Sequence, residues 1–319
     1  MEIDKADSAL KPRAAAFGAP QSNGQRFGLW LRRNLIWYAF IAPAVIMLVM
    51  FMALPLIQSL ELAFYEWNGL RPREYIALEN FEDLFDDRFF WGALSHTLTF
   101  AVYSMVGTVG IGLMLAMAIA RRVRGASIYR FIFYLPVMLP MAVTAALWVR
   151  MYEQNFGMLN VMLRSVGLAH LEGTWIASRQ TALGSVIAVA VWQFSGFPMI
   201  ILLAAIENIP EDLHEAASLD GISEAQRIWH LTLPLIRPVL ISISVLQFIF
   251  SLKVFDLVWV MTLGGPAEST SVLGTFLYKE AFRKQEYGYA SAVAVVMFVV
   301  IFTVTYVYQR LMRVEAVEF

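Results

Sequence analysis

Few residues in this chain suit chemistry, and those few are arranged for recognition rather than reaction. The run Trp192-Gln193-Phe194-Ser195-Gly196-Phe197-Pro198-Met199 mixes rings, an amide and a hydroxyl with two residues that loosen a helix. A kink there frees backbone carbonyls for a polar ligand. Gln247 and Ser251 stand at i and i+4, on one helix face, with Phe250 beside them. Rings stack on the apolar faces of sugars, while amides and hydroxyls hydrogen-bond sugar hydroxyls. Trp192, Gln193, Ser195, Gly196, Met199, Gln247, Phe250, Ser251 and Lys253 therefore form a candidate path for a polar solute. Packing competes with that reading, because Ser, Gly and Gln also join membrane helices. Lys253 and Asp256, at i and i+3, are close enough to pair. Ionisable residues inside an apolar span are functional candidates by default. A mutual structural pair and a place on the pathway both fit, and Lys253 alone would suit an anionic solute.

Catalysis finds no support. Gly-Lys never occurs, so a phosphate-binding loop of the Gly-x-x-x-x-Gly-Lys-Ser/Thr type is excluded. Cysteine is absent, and with it disulfides and thiol chemistry. His96, His170, His214 and His230 are scattered without metal spacing. No Gly-x-Ser-x-Gly elbow occurs. The net charge of −1 lacks the basic stripe of a nucleic-acid binder.

A different pattern occupies residues 207–238. Asn208-Ile209-Pro210, followed by Glu211 and Asp212, reads as a helix start, with acids complementing the helix dipole. Gly221 supplies a stop. Ser223, with Gln226 three positions later, predicts a capping box for a second helix running to Leu233, before Pro234. Leu213, Ala216 and Ala217 are expected on one side of the first helix, where small alanines permit close approach to another surface. Glu215 would offer that surface a charge. A helix resting on lipid headgroups usually carries Lys and Arg, and this one has none.

The elements that position these residues belong in a bilayer. The chain of 319 residues is 59% hydrophobic and 15% charged, with a mean hydropathy of +0.62. Six windows reach spanning length: Leu35–Leu56, Leu98–Ala120, Phe131–Val149, Ala182–Ile206, Val239–Leu263 and Tyr289–Tyr308. They are too long and too uniformly apolar for barrel strands. Arg26, Arg32, Arg33, then Arg121, Arg122, Arg124, Arg130, then Arg310 and Arg313 flank them on one side, whereas Glu79, Glu82, Asp83, Asp86 and Asp87 cluster on the other. The positive-inside rule then places both termini, and the 207–238 insert, in the cytoplasm. The expected organisation is a flexible tail (1–34), a six-span domain (35–309) and a short tail (310–319). Outer loops at 57–97, 150–181 and 264–288 are long enough to make a cap. Thr108 and Gly112, with Gly107 and Gly110, predict close packing of the second span.

Glu215, Ala216 and Ala217, then Gly221, then Leu231, Leu233 and Pro234 reproduce a spacing that resembles the signature of permease subunits in binding-protein-dependent ABC importers. Leu231 departs from it, standing where isoleucine is usual. Asp220-Gly221 and Gly264-Gly265-Pro266 further resemble the carbohydrate-uptake branch, which includes maltose and glycerol-phosphate permeases. The resemblance extends from about residue 35 to the end. It implies an all-α membrane protein with six transmembrane helices, a type I importer permease fold and a cytoplasmic coupling helix. It implies that Glu215 pairs with a basic residue of an ATPase and that Gly221 sets the turn. The implied partners are a second permease subunit, two ATP-binding subunits, a periplasmic or lipid-anchored solute-binding protein and a sugar. The chain itself would bind no cofactor, ATP and Mg being used by the ATPase. An ion-coupled secondary transporter is the alternative, and it predicts inverted repeats that the sequence lacks.

Overall fold

The computed structural model describes residues 37–120 and 124–311, with side chains through Arg310. The predicted tail 1–34, Arg121, Arg122, Arg313 and most of the tail 310–319 lie outside the described residues. The chain divides into two units, residues 1–58 and 59–319. Helix α1 (Trp37–Leu62) begins in the first. It is apolar all round, as suits a helix that crosses a bilayer.

In the second unit a short hairpin, β1 (Tyr65–Glu66) and β2 (Glu74–Tyr75), pairs antiparallel with Tyr65 opposite Tyr75. Then come α2 (Glu79–Asp86) and the long α3 (Arg88–Ala120). The elements α4 (Ala126–Met138), α5 (Met141–Met151), α6 (Met158–Ser165), α7 (Ala182–Phe194), α8 (Gly196–Glu207) and α9 (Glu211–Leu219) follow. The chain continues through α10 (Glu224–Leu252) and α11 (Asp256–Thr262) to α12 (Leu273–Tyr278, continued by a π-turn over Lys279–Arg283) and α13 (Tyr287–Leu311). Four of these helices are long and apolar enough to cross a bilayer, and six spans result if α4–α5 and α7–α8 each count as one bent span.

Three predicted spans are not simple rods. The third bends by 94° between Met138 and Met141. Pro140 cannot donate a helical hydrogen bond, and it forces Leu139 into extended backbone (φ −76°, ψ 137°). The fourth bends by 43° at Ser195, just before Gly196 and Pro198. The fifth was expected over Val239–Leu263, but α10 stops at Leu252. Lys253 and Val254 donate back to Phe250 and Ser251, tightening the last turn, and α11 starts anew at Asp256. At its other end α10 begins at Glu224. The second insert helix, predicted to stop at Leu233, is therefore the first part of a spanning helix that runs through Pro234. A π-turn over Ile228–Thr232 makes this possible, with the Leu233 N–H reaching the Ile228 carbonyl. The same device precedes Pro55 in α1, where the Leu54 N–H reaches Val49. Widening one turn absorbs the register a proline disturbs.

Helix α3 is the central post, packed against α7, α8 and α10. Val109, Ala116 and Ile119 meet Met199, Leu202, Leu203, Ile236 and Ile243 in one buried cluster. A second cluster joins Phe100 to Ala145, Val186, Val189, Leu257 and Val258. The segment after α11, expected as an outer loop, folds inward instead: Thr270, Ser271, Val272, Leu273 and Thr275 are buried. The Leu273 N–H donates to Thr97 Oγ1 (2.9 Å), His96 Nδ1 lies 3.0 Å from the Ser271 carbonyl, and Thr270 Oγ1 donates to the Gly265 carbonyl (2.8 Å). His96 thus serves structure, its ring nitrogen spent on a backbone carbonyl.

The predicted small-residue face of α3 packs within the chain. A Cβ on Gly112 would lie 2.8 Å from Pro198 Cβ and 2.9 Å from the Ser195 carbonyl, whereas Gly110 has nothing within 4 Å. Gly112→Ala should therefore cost about 1–3 kcal/mol by overpacking, and Gly110→Ala should be neutral or slightly stabilising. Thermal unfolding of the detergent-solubilised variants checks both, and equal midpoints would contradict the packing.

Candidate functional site

Two regions gather the polar residues singled out above. The first is the insert. Pro210 precedes α9 in extended geometry, and Glu211 and Asp212 occupy its first turn. Gly221 takes φ +70°, donating its N–H to Ser218, while Ile222 donates to Ala217. A left-handed residue closing the helix this way needs no Cβ. The capping box forms as expected, with the Ser223 N–H donating to Gln226 Oε1 (2.8 Å) and the Gln226 N–H to Ser223 Oγ.

The faces of α9 divide differently from the sequence expectation. Leu213 and His214 are half-buried and Ala217 is buried, all turned toward the chain, where a cleft of about 590 Å3 is lined by Met117, Glu207, His214, Arg227 and Thr232. Ala216 does not share that face. It is exposed together with Asp212, Glu215, Ser218, Leu219 and Asp220, and Leu219 is 89% exposed. The two alanines thus serve opposite sides: Ala217 seats the helix, and Ala216 keeps its outer face flat. Leu231 and Leu233 are half-buried at the start of α10, and Pro234 is exposed. Beside the insert, Arg130 of α4 pairs with Glu207 at the end of α8.

The second region is a cavity of about 490 Å3 among α3, α7, α8, the α4–α5 junction and the α10–α11 junction. That size suits a small solute. Gln247, Phe250, Ser251 and Lys253 line it, as the sequence expected. The candidates from the fourth span do not. Gln193 is buried and donates to the Leu139 carbonyl (3.0 Å), satisfying a backbone group exposed by the Pro140 break. Ser195 Oγ bonds the Val191 carbonyl one turn back. Gly196 lets α8 approach the end of α4, where a Cβ would sit 2.9 Å from Tyr134 Cα. Met199 is fully buried in the core, and Trp192 lies edge-on to Trp148. Their neighbours Phe194 and Phe197 face the cavity instead.

Sequence reasoning missed Ser104 on α3 and assigned Thr108 to packing alone, yet both line the cavity. The signal was present: two hydroxyls at i and i+4 in an apolar span, the same spacing that flagged Gln247 and Ser251. Lys253 and Asp256 also line the wall, and of the two roles the sequence left open the mutual pair does not form, because the helix break separates them. Among the described residues neither has an ion-pair partner, and the Lys253 ammonium sits 5.9 Å from the centre of the Phe250 ring. Outside the spans, Glu280 is buried next to Lys284 (2.8 Å), and burial pushes its carboxyl above the usual range. Among the described residues no group of His, Asp and Glu is placed to hold a metal ion.

Comparison with known proteins bears on both regions. Residues 108–313 match the family described as binding-protein-dependent transport system inner membrane component. A probable ABC transporter permease protein of Pyrococcus horikoshii is 36% identical over 259 residues, covering 81% of this chain and 89% of that one. The probable starch degradation products transport system permease protein AmyD of Thermoanaerobacterium thermosulfurigenes is 32% identical, with 90% and 97% covered. The trehalose/maltose transport system permease protein MalF of Thermococcus litoralis is 29% identical, with 88% and 95% covered. Among solved structures, a chain of a bacterial ABC transporter involved in the import of the acidic polysaccharide alginate matches with TM-score 0.79 and 26% identity, covering 90% of this chain and 98% of that one. The fold is that of a type I importer permease.

The division of α9 has a direct consequence. Ala217→Asp places a carboxylate against the chain and should cost upwards of about 2 kcal/mol. Leu219→Asp changes only the exposed face and should leave stability unchanged. Thermal midpoints in detergent decide, and the reverse order would mean that the faces are assigned wrongly.

Proposed function

Because the chain belongs to the family of binding-protein-dependent transport system inner membrane components, we propose that it is one half of the channel of an ATP-driven importer that carries a sugar or sugar derivative inward across the cytoplasmic membrane by alternating access. The observation that carries the reading is α9. It is a short polar helix, anchored by Leu213 and Ala217 and closed at Gly221, that presents Glu215, Ala216 and Leu219 outward. A membrane channel driven from outside the bilayer needs such a part, and an ion-coupled transporter has no use for it.

In this reading α9 enters a groove of a cytoplasmic ATPase subunit, where Glu215 meets a basic residue. Across the cleft His214 of α9 faces Glu207 at the end of α8 and Arg227 and Thr232 at the start of α10, and in this reading a push on α9 is passed to those two helices. The chain does no chemistry of its own. Two ATP-binding subunits, using ATP and Mg, supply the energy. A second permease subunit completes the channel, and a periplasmic or lipid-anchored binding protein delivers the solute. Arg124, Arg130 and Arg310 lie on the α9 side of the sequence pattern, which supports cytoplasmic placement of both termini. A sugar is supported by the names of the relatives and by a wall that alternates rings with Ser104, Thr108, Gln247 and Ser251.

Reconstitution of the chain with its ATPase, second permease and binding protein in proteoliposomes tests this. Glu215→Ala and Gly221→Asp should reduce solute-stimulated ATP hydrolysis and uptake at least about tenfold, a loss of roughly 1.4 kcal/mol of coupling, while the subunit still inserts. Gly221→Asp acts through backbone, since φ +70° disfavours a side chain. Normal transport by both variants would overturn the assignment of α9. Gln247→Ala with Ser251→Ala should alter which sugars are carried; unchanged uptake of every sugar would move the site elsewhere.

A further inference from the structure

We infer that Lys253 and Asp256 form a divided charge pair that selects a neutral, polyhydroxylated solute bearing a vicinal diol over its anionic counterpart. The inference rests on the sugar-importer reading and specifies the solute's charge. On an unbroken helix these two residues would neutralise each other at i and i+3. The break after Leu252 prevents this. Lys253 caps α10, where a cation is favoured by the helix C-terminus, and Asp256 opens α11. Both line the cavity, and among the described residues neither side chain is hydrogen-bonded or ion-paired to the protein. The ammonium lies over the Phe250 ring instead.

Among the described residues that line the cavity no other carries a formal charge, so the part of the wall this chain supplies sums to zero. Both side chains are exposed on this chain, and the largely apolar wall around them screens their charges from a solute less than bulk water would. An anionic sugar would match Lys253 but stand near Asp256, and would leave the cavity with one negative charge too many. A neutral sugar satisfies both residues without adding charge. Two adjacent hydroxyls donate to the two oxygens of Asp256, and a third hydroxyl oxygen accepts from Lys253. Phe250, an exposed ring of the cavity wall, offers a face to the apolar side of the sugar. The expectation that Lys253 assists an anionic solute is replaced by this balance.

The test uses the complete membrane complex in nanodiscs, without binding protein, and matched probes that differ only at one C6 group. The probes are cellobiose and maltose, with cellobiouronic and maltobiouronic acids as their carboxylate counterparts. Equilibrium binding gives a neutral-to-anionic affinity ratio. The wild type should favour the neutral member of a pair. Asp256→Asn should shift the ratio toward the uronate by about tenfold or more, and Lys253→Gln should shift it the other way. The double variant should return near the wild-type ratio with weaker binding to both probes. A wild type that prefers the uronates overturns the inference. So does a neutral-preferring wild type whose ratio neither single variant moves, and that result leaves the sugar reading intact. Absence of binding by any of the four saccharides, with no ATP-driven uptake of them by the full transporter, overturns the sugar reading and this inference together. Unchanged thermal midpoints of the single variants separate a shifted ratio from misfolding.

Discussion

Backbone hydrogen bonding in a bilayer constrains everything else here. Lipid offers no partner to a free carbonyl or N–H, so a spanning helix can break only where protein or a polar cavity covers the break. This chain breaks three spans, and all three breaks border the same cavity. Val137 and Met141 flank the Pro140 break, Phe194 and Phe197 flank the Ser195 break, and Lys253, Val254 and Phe255 form the break after α10. Gln193 reaches across to cover the carbonyl of Leu139. The cavity is therefore a product of the breaks as much as of side-chain shape. Irregular backbone brings Lys253 to the cavity at that level, while Ser104, Thr108, Gln247 and Ser251 reach it from regular helix.

The same constraint explains the inner end of α10. A proline at position 234 would disrupt an ordinary helix, yet the span continues because one widened turn re-pairs the backbone. As a result the insert is not a detached pair of helices. Only α9 is separate, and the segment that follows it is already the wall of the channel. In the proposed importer a displacement of α9 would be passed to the helix that carries Gln247 and Ser251, because α10 runs continuously from Glu224 to Leu252.

Much of this was legible in the sequence, and the failures have clear causes. Apolar length announced the spans. Pro210, Gly221 and Ser223-x-x-Gln226 announced the boundaries of α9 and the start of α10, because capping chemistry is local. Gly196 with Pro198 announced one break. Pro140 carried an equal signal, but it sat inside an apolar window whose length alone suggested a rod. The break at Lys253 has no glycine or proline to mark it; it lies against the inward-folded segment 270–275, where a Cβ on Gly274 would stand 3.0 Å from the Val254 carbonyl, and that contact is tertiary. Helical spacing placed Ala216 with Ala217, whereas adjacent residues lie about 100° apart and the chain covers only one of them. Gln193, Ser195 and Met199 had the right chemistry in the right span. They point at neighbouring helices rather than into the cavity, and residue type alone cannot resolve that.

The central claim is that three helix breaks meet at one solute-accessible cavity. The chain contains no cysteine, so single cysteines at Val137, Phe197 and Phe255 can be read without background from this chain. The most direct measurement is labelling of these three by a hydrophilic maleimide in the reconstituted transporter, with and without transported sugar. The account predicts that all three react and that sugar protects all three together. Labelling that is absent, or that sugar leaves unchanged at two of the three, would contradict it.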